Sequence, residues 1–266
     1  MRIPASLCGL YGIRTTLGRV DAKGAMDMSR SFDTIGWFAA SAGVFRRVGT
    51  VLLGGHSERA TIDRLIVADN SFSEADAPVA ALLREALDAM GAALPAPRRA
   101  ELAPDGGIDT WREAVRIIQA YELWQVYGRF VTEKKPRFGP GVAERMAIAS
   151  RITKAEADAA RQVHASVRER LRGEIRPGTV VALPSAPCVA PLIGTPAEGL
   201  ESYRIRVMRL TCIAGLGGLP QVSIPIGIVD GCPVGLSFIG WAGGDEELLD
   251  LAFELSRFCG GLGADR

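Results

Sequence analysis

Side chains that could carry acid–base or nucleophilic chemistry are few in this sequence and lie far apart. It contains two histidines, His56 and His164. A serine hydrolase with a Ser-His-Asp triad needs a histidine within hydrogen-bonding reach of its nucleophile. His56 follows a Gly-Gly pair, His164 lies in a charged helical stretch, and no G-x-S-x-G turn occurs. We therefore predict that both histidines are surface residues outside any catalytic triad.

The cysteines show no metal-binding or disulfide pattern. Five of them are spread along the chain without a C-x-x-C pair, at Cys8, Cys188, Cys212, Cys232 and Cys259. Zinc sites and disulfide frameworks use closely spaced or evenly paired cysteines, so we predict neither, with each cysteine buried as a small apolar residue. The glycine-rich turn at 215–218 leads into a strand and does not open a helix, so phosphate binding is weakly indicated. These residues alone leave the function open.

Composition excludes several classes of protein. The chain has 266 residues, of which 48% are hydrophobic, and its 31 basic and 30 acidic residues leave a net charge of +1. Such a chain can bury a large core, and without a basic stripe it has no footprint for nucleic acid. Because no apolar run approaches the ~18 residues that span a bilayer and no signal peptide is visible, we predict a cytoplasmic protein that binds neither nucleic acid nor membrane.

The elements that would position functional residues alternate between strand and helix. Short apolar runs predict strands at 63–69 and 177–184, and 221–241 reads as a hairpin turning at Asp230-Gly231. Helical spacing predicts helices within 39–55, 73–94, 109–132, 142–172, 201–220 and 243–260. Thr153 and Glu156 fit a capping box, and 95–108 reads as a loop. This order predicts an α/β fold with a mixed β-sheet and helices packed on both faces, in one domain spanning 1–266.

The first predicted helix carries aliphatic residues at helical spacing. Val44, Val48, Val51 and Leu52 recur on one side, while Arg46 and Arg47 lie on the other. We expect the aliphatic side to face the core.

Separated sequence blocks resemble the amidase signature family, in that family's order. RIPASLCGLYGIRTTLGRV at the start resembles the pattern x-R-x-P-A-S-x-C-G-x-x-G-x-[KR]-[PT]-[ST]-x-G. SFDTIGWFAAS, LPSAP, GLPQVSIPIG, DGCPVGLSFIGW and GGDEELLDLA continue the resemblance over essentially the whole chain. The indole-3-acetamide hydrolase branch and the amidase-like domains of chloroplast-envelope receptors look especially similar.

The resemblance implies where the reaction centre of such a protein lies. In this family the nucleophile is the last serine of a Gly-Gly-Ser stretch, activated through a second serine in a cis peptide and a lysine, and all three precede the Arg-x-Pro-Ala block. The nucleophile would fall at the position just before Met1. We therefore expect an N-terminally truncated amidase-like domain that has no catalytic residue of its own, uses no metal or cofactor, and is inactive alone.

The resemblance also suggests supporting residues. Arg2 would hold carboxylates or carbonyls near the nucleophile loop with its planar donor fork, and Asp33 is the acidic candidate to pair with it. Trp37 and Phe38 could line the pocket, with core packing an equal alternative, and Cys212 could border it. Ser6 is expected to order the loop and to carry no chemistry.

Two functions from different classes remain open. One is the C-terminal portion of an amidase that hydrolyses a small carboxamide, with the missing part encoded upstream or supplied by another polypeptide. The other is a non-catalytic amidase-like interaction module. In either case we expect apolar surface around Ile3, Leu7 and Leu10, or an open sheet edge near them, to favour association.

Overall fold

A mixed β-sheet organises the chain. The computed structural model describes residues 1–54, 60–103, 107–139 and 141–259, and within them seven strands form one sheet in the order β2-β1-β6-β7-β5-β3-β4. The strands are β1 Tyr11–Arg14, β2 Gly36–Ala39, β3 Arg64–Ala68, β4 Pro97–Ala100, β5 Thr179–Pro184, β6 Gln221–Val229 and β7 Cys232–Ile239. β3 pairs in parallel with β4 and β5, and the remaining pairs are antiparallel. The predicted mixed sheet is confirmed.

Helices cover both faces of this sheet, as predicted. They are α1 Arg2–Leu7, α2 Ala42–Leu52, α3 Asp69–Phe72, α4 Ala77–Ala89, α5 Gly107–Lys134, α6 Val142–Ala149, α7 Lys154–Glu174, α8 Ala197–Gly217 and α9 Asp245–Leu255. One apolar cluster joins the sheet to α2, α4 and α9, and a second joins the opposite face to α5, α7 and α8. The described helices include none that is long and apolar enough to cross a bilayer.

The β6–β7 hairpin turns at the predicted dipeptide. Asp230 and Gly231 both have left-handed backbones, with φ of 50° and 76°. Two consecutive positive φ values define the tight turn whose twist matches the flanking strands, and Val229 pairs directly with Cys232 across it.

The central strands present small and polar residues to α1. This helix packs on β1, β6 and β7, and a Cβ added at Gly12 would lie 2.5 Å from the Cβ of Ala5. The Gly235 N–H donates to Ser6 Oγ at 2.9 Å, a hydrogen bond that joins α1 to β7. Side chains larger than these would hold α1 away from the sheet.

The buried face of α2 differs from the prediction. The helix buries Ala42, Phe45 and Gly49, whereas Val51 is 78% exposed and Val44 is exposed as well. A Cβ at Gly49 would lie 2.2 Å from Leu249 Cδ1 in α9. The two helices therefore meet at a small residue. Their close approach at Gly49 decides which face of α2 is buried, and the aliphatic residues Val44 and Val51 stay exposed.

Two other segments also differ from the prediction. Residues 97–100, predicted as loop, form the edge strand β4 beside β3. The single helical region predicted over 142–172 is divided into α6 and α7, and α7 begins at the predicted capping box of Thr153 and Glu156. Edge strands with exposed polar residues lack the alternation that would reveal them in a sequence.

Candidate functional site

A cavity of about 320 Å³ opens beside the start of α1. Five parts of the chain form its wall: the α1 start, the end of β1, the segment 28–34, and the facing sides of α5 and α8. The residues that line it are Met1, Arg2, Arg14, Met28, Phe32, Asp33, Thr34, Val115, Gln119, Met208, Thr211, Cys212 and Gly215. Its volume suits a small molecule.

Arg2 crosses from α1 to α8 and β6. Its Nη1 donates to the Thr211 carbonyl at 3.3 Å and to the Gln221 side-chain oxygen. Burial, and next the nearby charge of Arg14, lower the pKa of Arg2 to about 9. Arg2 is thus a positive charge at the cavity wall, and the hydrogen-bond partners of its Nη1 are uncharged.

Asp33 does not form the predicted pair with Arg2. Its Oδ2 accepts hydrogen bonds from the backbone N–H groups of Met28 and Ser29, at 2.8 and 2.7 Å. The prediction of a bracing Arg2–Asp33 pair is wrong, because the carboxylate closes a local turn and Arg2 bonds to Thr211 and Gln221 instead. Both side chains nevertheless line the same cavity.

Arg14 is a buried cation that the sequence reasoning did not single out. It is 8% exposed, and its Nη1 donates to the Phe32 carbonyl at 2.8 Å and to Thr34 Oγ1 at 3.4 Å. Burial lowers the pKa of Arg14 to about 10, against the opposing effects of Asp33 and Asp245. Its position in the strand YGIR was the available signal, since a charged residue in a fully buried strand has a specific role more often than not.

Glu122 on α5 fixes the segment 28–34. It accepts hydrogen bonds from Ser29 Oγ at 2.6 Å, from Ser31 Oγ at 2.5 Å and from Ser31 N at 3.1 Å. Sequence reasoning missed it, although Glu122 follows the buried Trp111 and Ile118 on one helical face. A carboxylate on such a face usually has partners across it.

The three predicted pocket-lining residues have different positions. Trp37 is 8% exposed in the core, where its Nε1 donates to the Phe45 carbonyl at 3.0 Å. Phe38 is 44% exposed on the edge strand β2, and neither side chain lines the cavity. Trp37 therefore packs in the core, which was the equal alternative, and a pocket-lining role for either residue stays a prediction that this cavity does not support.

Cys212 lines this cavity, and its place at a substrate pocket stays a prediction. Burial raises the pKa of its thiol to about 12, so it stays protonated at neutral pH and is a poor nucleophile. The prediction that every cysteine is buried is wrong for Cys8, which is exposed just after α1, and for Cys188 and Cys232, which are only partly buried.

His164 is half-buried behind the cavity wall, and so the prediction of a surface position is wrong. Its Nε2 lies 3.1 Å from the Leu216 carbonyl, and its ring centroid lies 5.2 Å from that of Phe32. Burial lowers its pKa. His56 lies outside the described residues. Within the described ranges, no three His, Cys, Asp or Glu residues are grouped to hold a metal ion.

Comparison with a known protein family identifies the class of protein to which this chain belongs. The chain matches the amidase family over residues 1–96 and 112–249, and it belongs to that family. Similarity to a crystal structure of an amidase, with a TM-score of 0.85 at 24% identity over 98% of this chain and 61% of that one, shows the shared fold.

Curated relatives agree with this assignment. The chain is 30% identical to Amidase 1 of Arabidopsis thaliana, over 97% of this chain and 68% of that protein. It is 26% identical to the chloroplastic outer envelope protein 64 of the same plant, over 94% of this chain and 47% of that protein. The chain therefore spans about half to two thirds of the length of these relatives.

Proposed function

We propose that this chain forms the substrate pocket of an amidase that hydrolyses the C–N bond of a small carboxamide. The nucleophilic serine, the cis-peptide serine and the lysine lie upstream of Met1 in this proposal, either in the same polypeptide or in a complementing chain. The reaction needs no metal or cofactor, and the chain beginning at Met1 is inactive by itself.

The position of the cavity carries the proposal. Met1 and Arg2 form part of its wall, and the resemblance of the first block to the family pattern puts the nucleophile at the position immediately before Met1. A serine there would lie beside the cavity. Because a serine hydroxyl needs a base within about 2.6–3.2 Å, and the resemblance puts that base upstream too, the described part of the chain supplies binding and orientation.

The proposed test compares two polypeptides. The coding sequence upstream of Met1 is read for an in-frame lysine, serine and Gly-Gly-Ser stretch, and the longer polypeptide is expressed beside the chain that begins at Met1. Hydrolysis of indole-3-acetamide and simple aryl amides is measured together with labelling by a fluorophosphonate. We expect turnover and stoichiometric labelling of the longer form only, and loss of both on replacing the Gly-Gly-Ser serine by alanine.

Labelling or turnover by the chain that begins at Met1 would contradict the upstream nucleophile. A longer polypeptide that contains the three residues and neither labels nor turns over would contradict the amidase proposal itself.

A second candidate is a non-catalytic amidase-like interaction module. The similarity to the chloroplastic outer envelope protein 64 favours it. An upstream sequence in which the lysine or either serine is replaced would support this candidate. We keep a cytoplasmic location as a prediction under both candidates, to be checked by fractionating cells that express a tagged chain.

A further inference from the structure

Arg14 has hydrogen-bond donors that the described protein does not use. Its Nε and Nη2 are buried and have no partner, while Nη1 is bonded to Phe32 and Thr34. Buried donors are nearly always paired in native proteins, and an unpaired one calls for a ligand, a water or another partner. Arg14 also lines the cavity beside α1, so a molecule bound there is the nearest candidate.

The charges around Arg14 leave a positive balance in the cavity. From α1 it faces Arg2, whose partners are the uncharged Thr211 and Gln221. From the segment 28–34 it faces Asp33, whose carboxylate accepts two backbone N–H groups. Asp245 at the start of α9 also faces Arg14 but is not among the residues that line the cavity, and its carboxylate oxygens are bonded to Thr16 at 2.8 and 2.5 Å.

Two guanidinium groups and one carboxylate thus line the cavity, and the carboxylate is already engaged. We propose that the cavity binds a carboxylate group of the substrate through Arg14, with Arg2 adding to the positive field, so that the preferred substrate is a small amide that also carries a carboxylate. This inference rests on the proposed function, because it takes the cavity to be the substrate pocket.

The chemistry of the two side chains supports this choice of ligand. A guanidinium presents its donors in a planar fork that matches the two oxygens of a carboxylate. Burial makes the charged form of both arginines costly, and an anion beside them would offset that cost. A neutral amide in the same place would supply only one carbonyl acceptor and no compensating charge.

Binding can be tested without any catalytic turnover. Isothermal titration of the chain with succinamic acid, a monoamide with one carboxylate, is compared with titration by the neutral diamide succinamide. We expect the monoamide to bind about tenfold to a hundredfold more tightly, the range of a hydrogen bond to a charged partner. Arg14→Gln should remove this preference, and Arg14→Lys should retain part of it.

Matched controls separate recognition from folding. Arg129→Gln alters an arginine whose side chain is 88% exposed on α5 and should leave the preference unchanged. A purely structural role of Arg14 would weaken both ligands equally, so the ratio of their affinities is the deciding quantity. Should Arg14→Gln unfold, the ratio is read from Arg14→Lys, whose shorter and non-planar head group must reduce it.

Equal affinity for the monoamide and the diamide, or an unchanged ratio in the folded Arg14 variants, would overturn the inference. Failure of the amidase proposal looks different. A chain that prefers the monoamide, in a longer polypeptide that cleaves no amide, keeps the carboxylate site and loses the enzyme. A longer polypeptide that cleaves neutral and anionic amides equally well keeps the enzyme and loses the carboxylate site.

Discussion

The two faces of the central strands β1, β6 and β7 are built from opposite kinds of residue. Toward α2 and α9 they present large apolar side chains, among them Ile13, Val222 and Phe238, which are in register across the sheet. Toward α1 they present Gly12 and Ser223, which are also in register. Successive side chains of a strand point to opposite faces, so the alternation of large apolar with small or polar residues along each strand produces both surfaces.

This difference separates stability from binding within one sheet. The apolar face excludes water and supplies the burial that stabilises the fold. The small and polar face lets α1 approach closely. Two residues further along the same face, at its rim, Arg14 pairs with Gln221 just as Gly12 pairs with Ser223. The cavity lies on this second side, where polar groups and charges replace close apolar packing.

Truncating the apolar face should have the largest effect. Phe238 is completely buried, and Phe238→Ala is expected to lower the free energy of unfolding by about 3–5 kcal/mol. Phe253, which is 39% exposed on α9, gives a matched control with a much smaller loss. Urea unfolding followed by circular dichroism measures both variants. Equal losses in the free energy of unfolding would show that the apolar face contributes no more to stability than a peripheral aromatic residue.

Enlarging the α1 face should have the next largest effect. Gly12→Ala puts a methyl group against Ala5, and overpacking of this kind costs about 1–3 kcal/mol. Gly173 in α7 has nothing within 4 Å of an added Cβ, so Gly173→Ala should be neutral or stabilising. Thermal melts of both variants are compared, and a Gly12→Ala variant as stable as the wild type would show that α1 is not closely packed.

Removing one hydroxyl from the polar face should cost less. Ser223 Oγ lies 2.7 Å from Ser185 Oγ, which also lies 2.8 Å from Ser237 Oγ. Ser223→Ala is expected to cost about 1 kcal/mol, the net value of a typical hydrogen bond. The exposed Ser202 supplies the control. Both alanine variants are compared by denaturant unfolding. Equal stabilities would show that the hydrogen bonds among Ser185, Ser223 and Ser237 do not stabilise the fold.

The smallest expected effect is the pH dependence contributed by His164. Burial lowers its pKa in the folded state below the value near 6.5 of an unfolded chain. As the pH falls from about 6.5 toward the lower folded-state pKa, the unfolded state binds the proton first, and stability decreases. His164→Gln should therefore lose less stability than the wild type between pH 7.5 and pH 5 in urea melts. An identical loss in both proteins would contradict this sign.

Local patterns in the sequence determined most of the elements. Asp230-Gly231 tolerates two positive φ values, and Thr153 with Glu156 caps α7 within one turn, so both features depend on neighbouring residues only. The mixed sheet with helices on both faces followed from the order of the elements. The family followed from blocks such as RIPASLCGLYGIRTTLGRV, whose residue types are read directly.

Only the tertiary structure decided which side chains meet. Arg2 bonds Thr211 and Gln221, more than 200 positions away in the sequence. Nothing in the sequence around Arg2 indicates that these residues, and not Asp33, are its partners. The face buried by α2 depended on how closely Leu249 approaches Gly49, and the segment beside the cavity depended on Glu122 reaching Ser29 and Ser31. Local conformation is set by steric and hydrogen-bonding preferences within a few residues, whereas partners across the fold are chosen by packing that the sequence does not display.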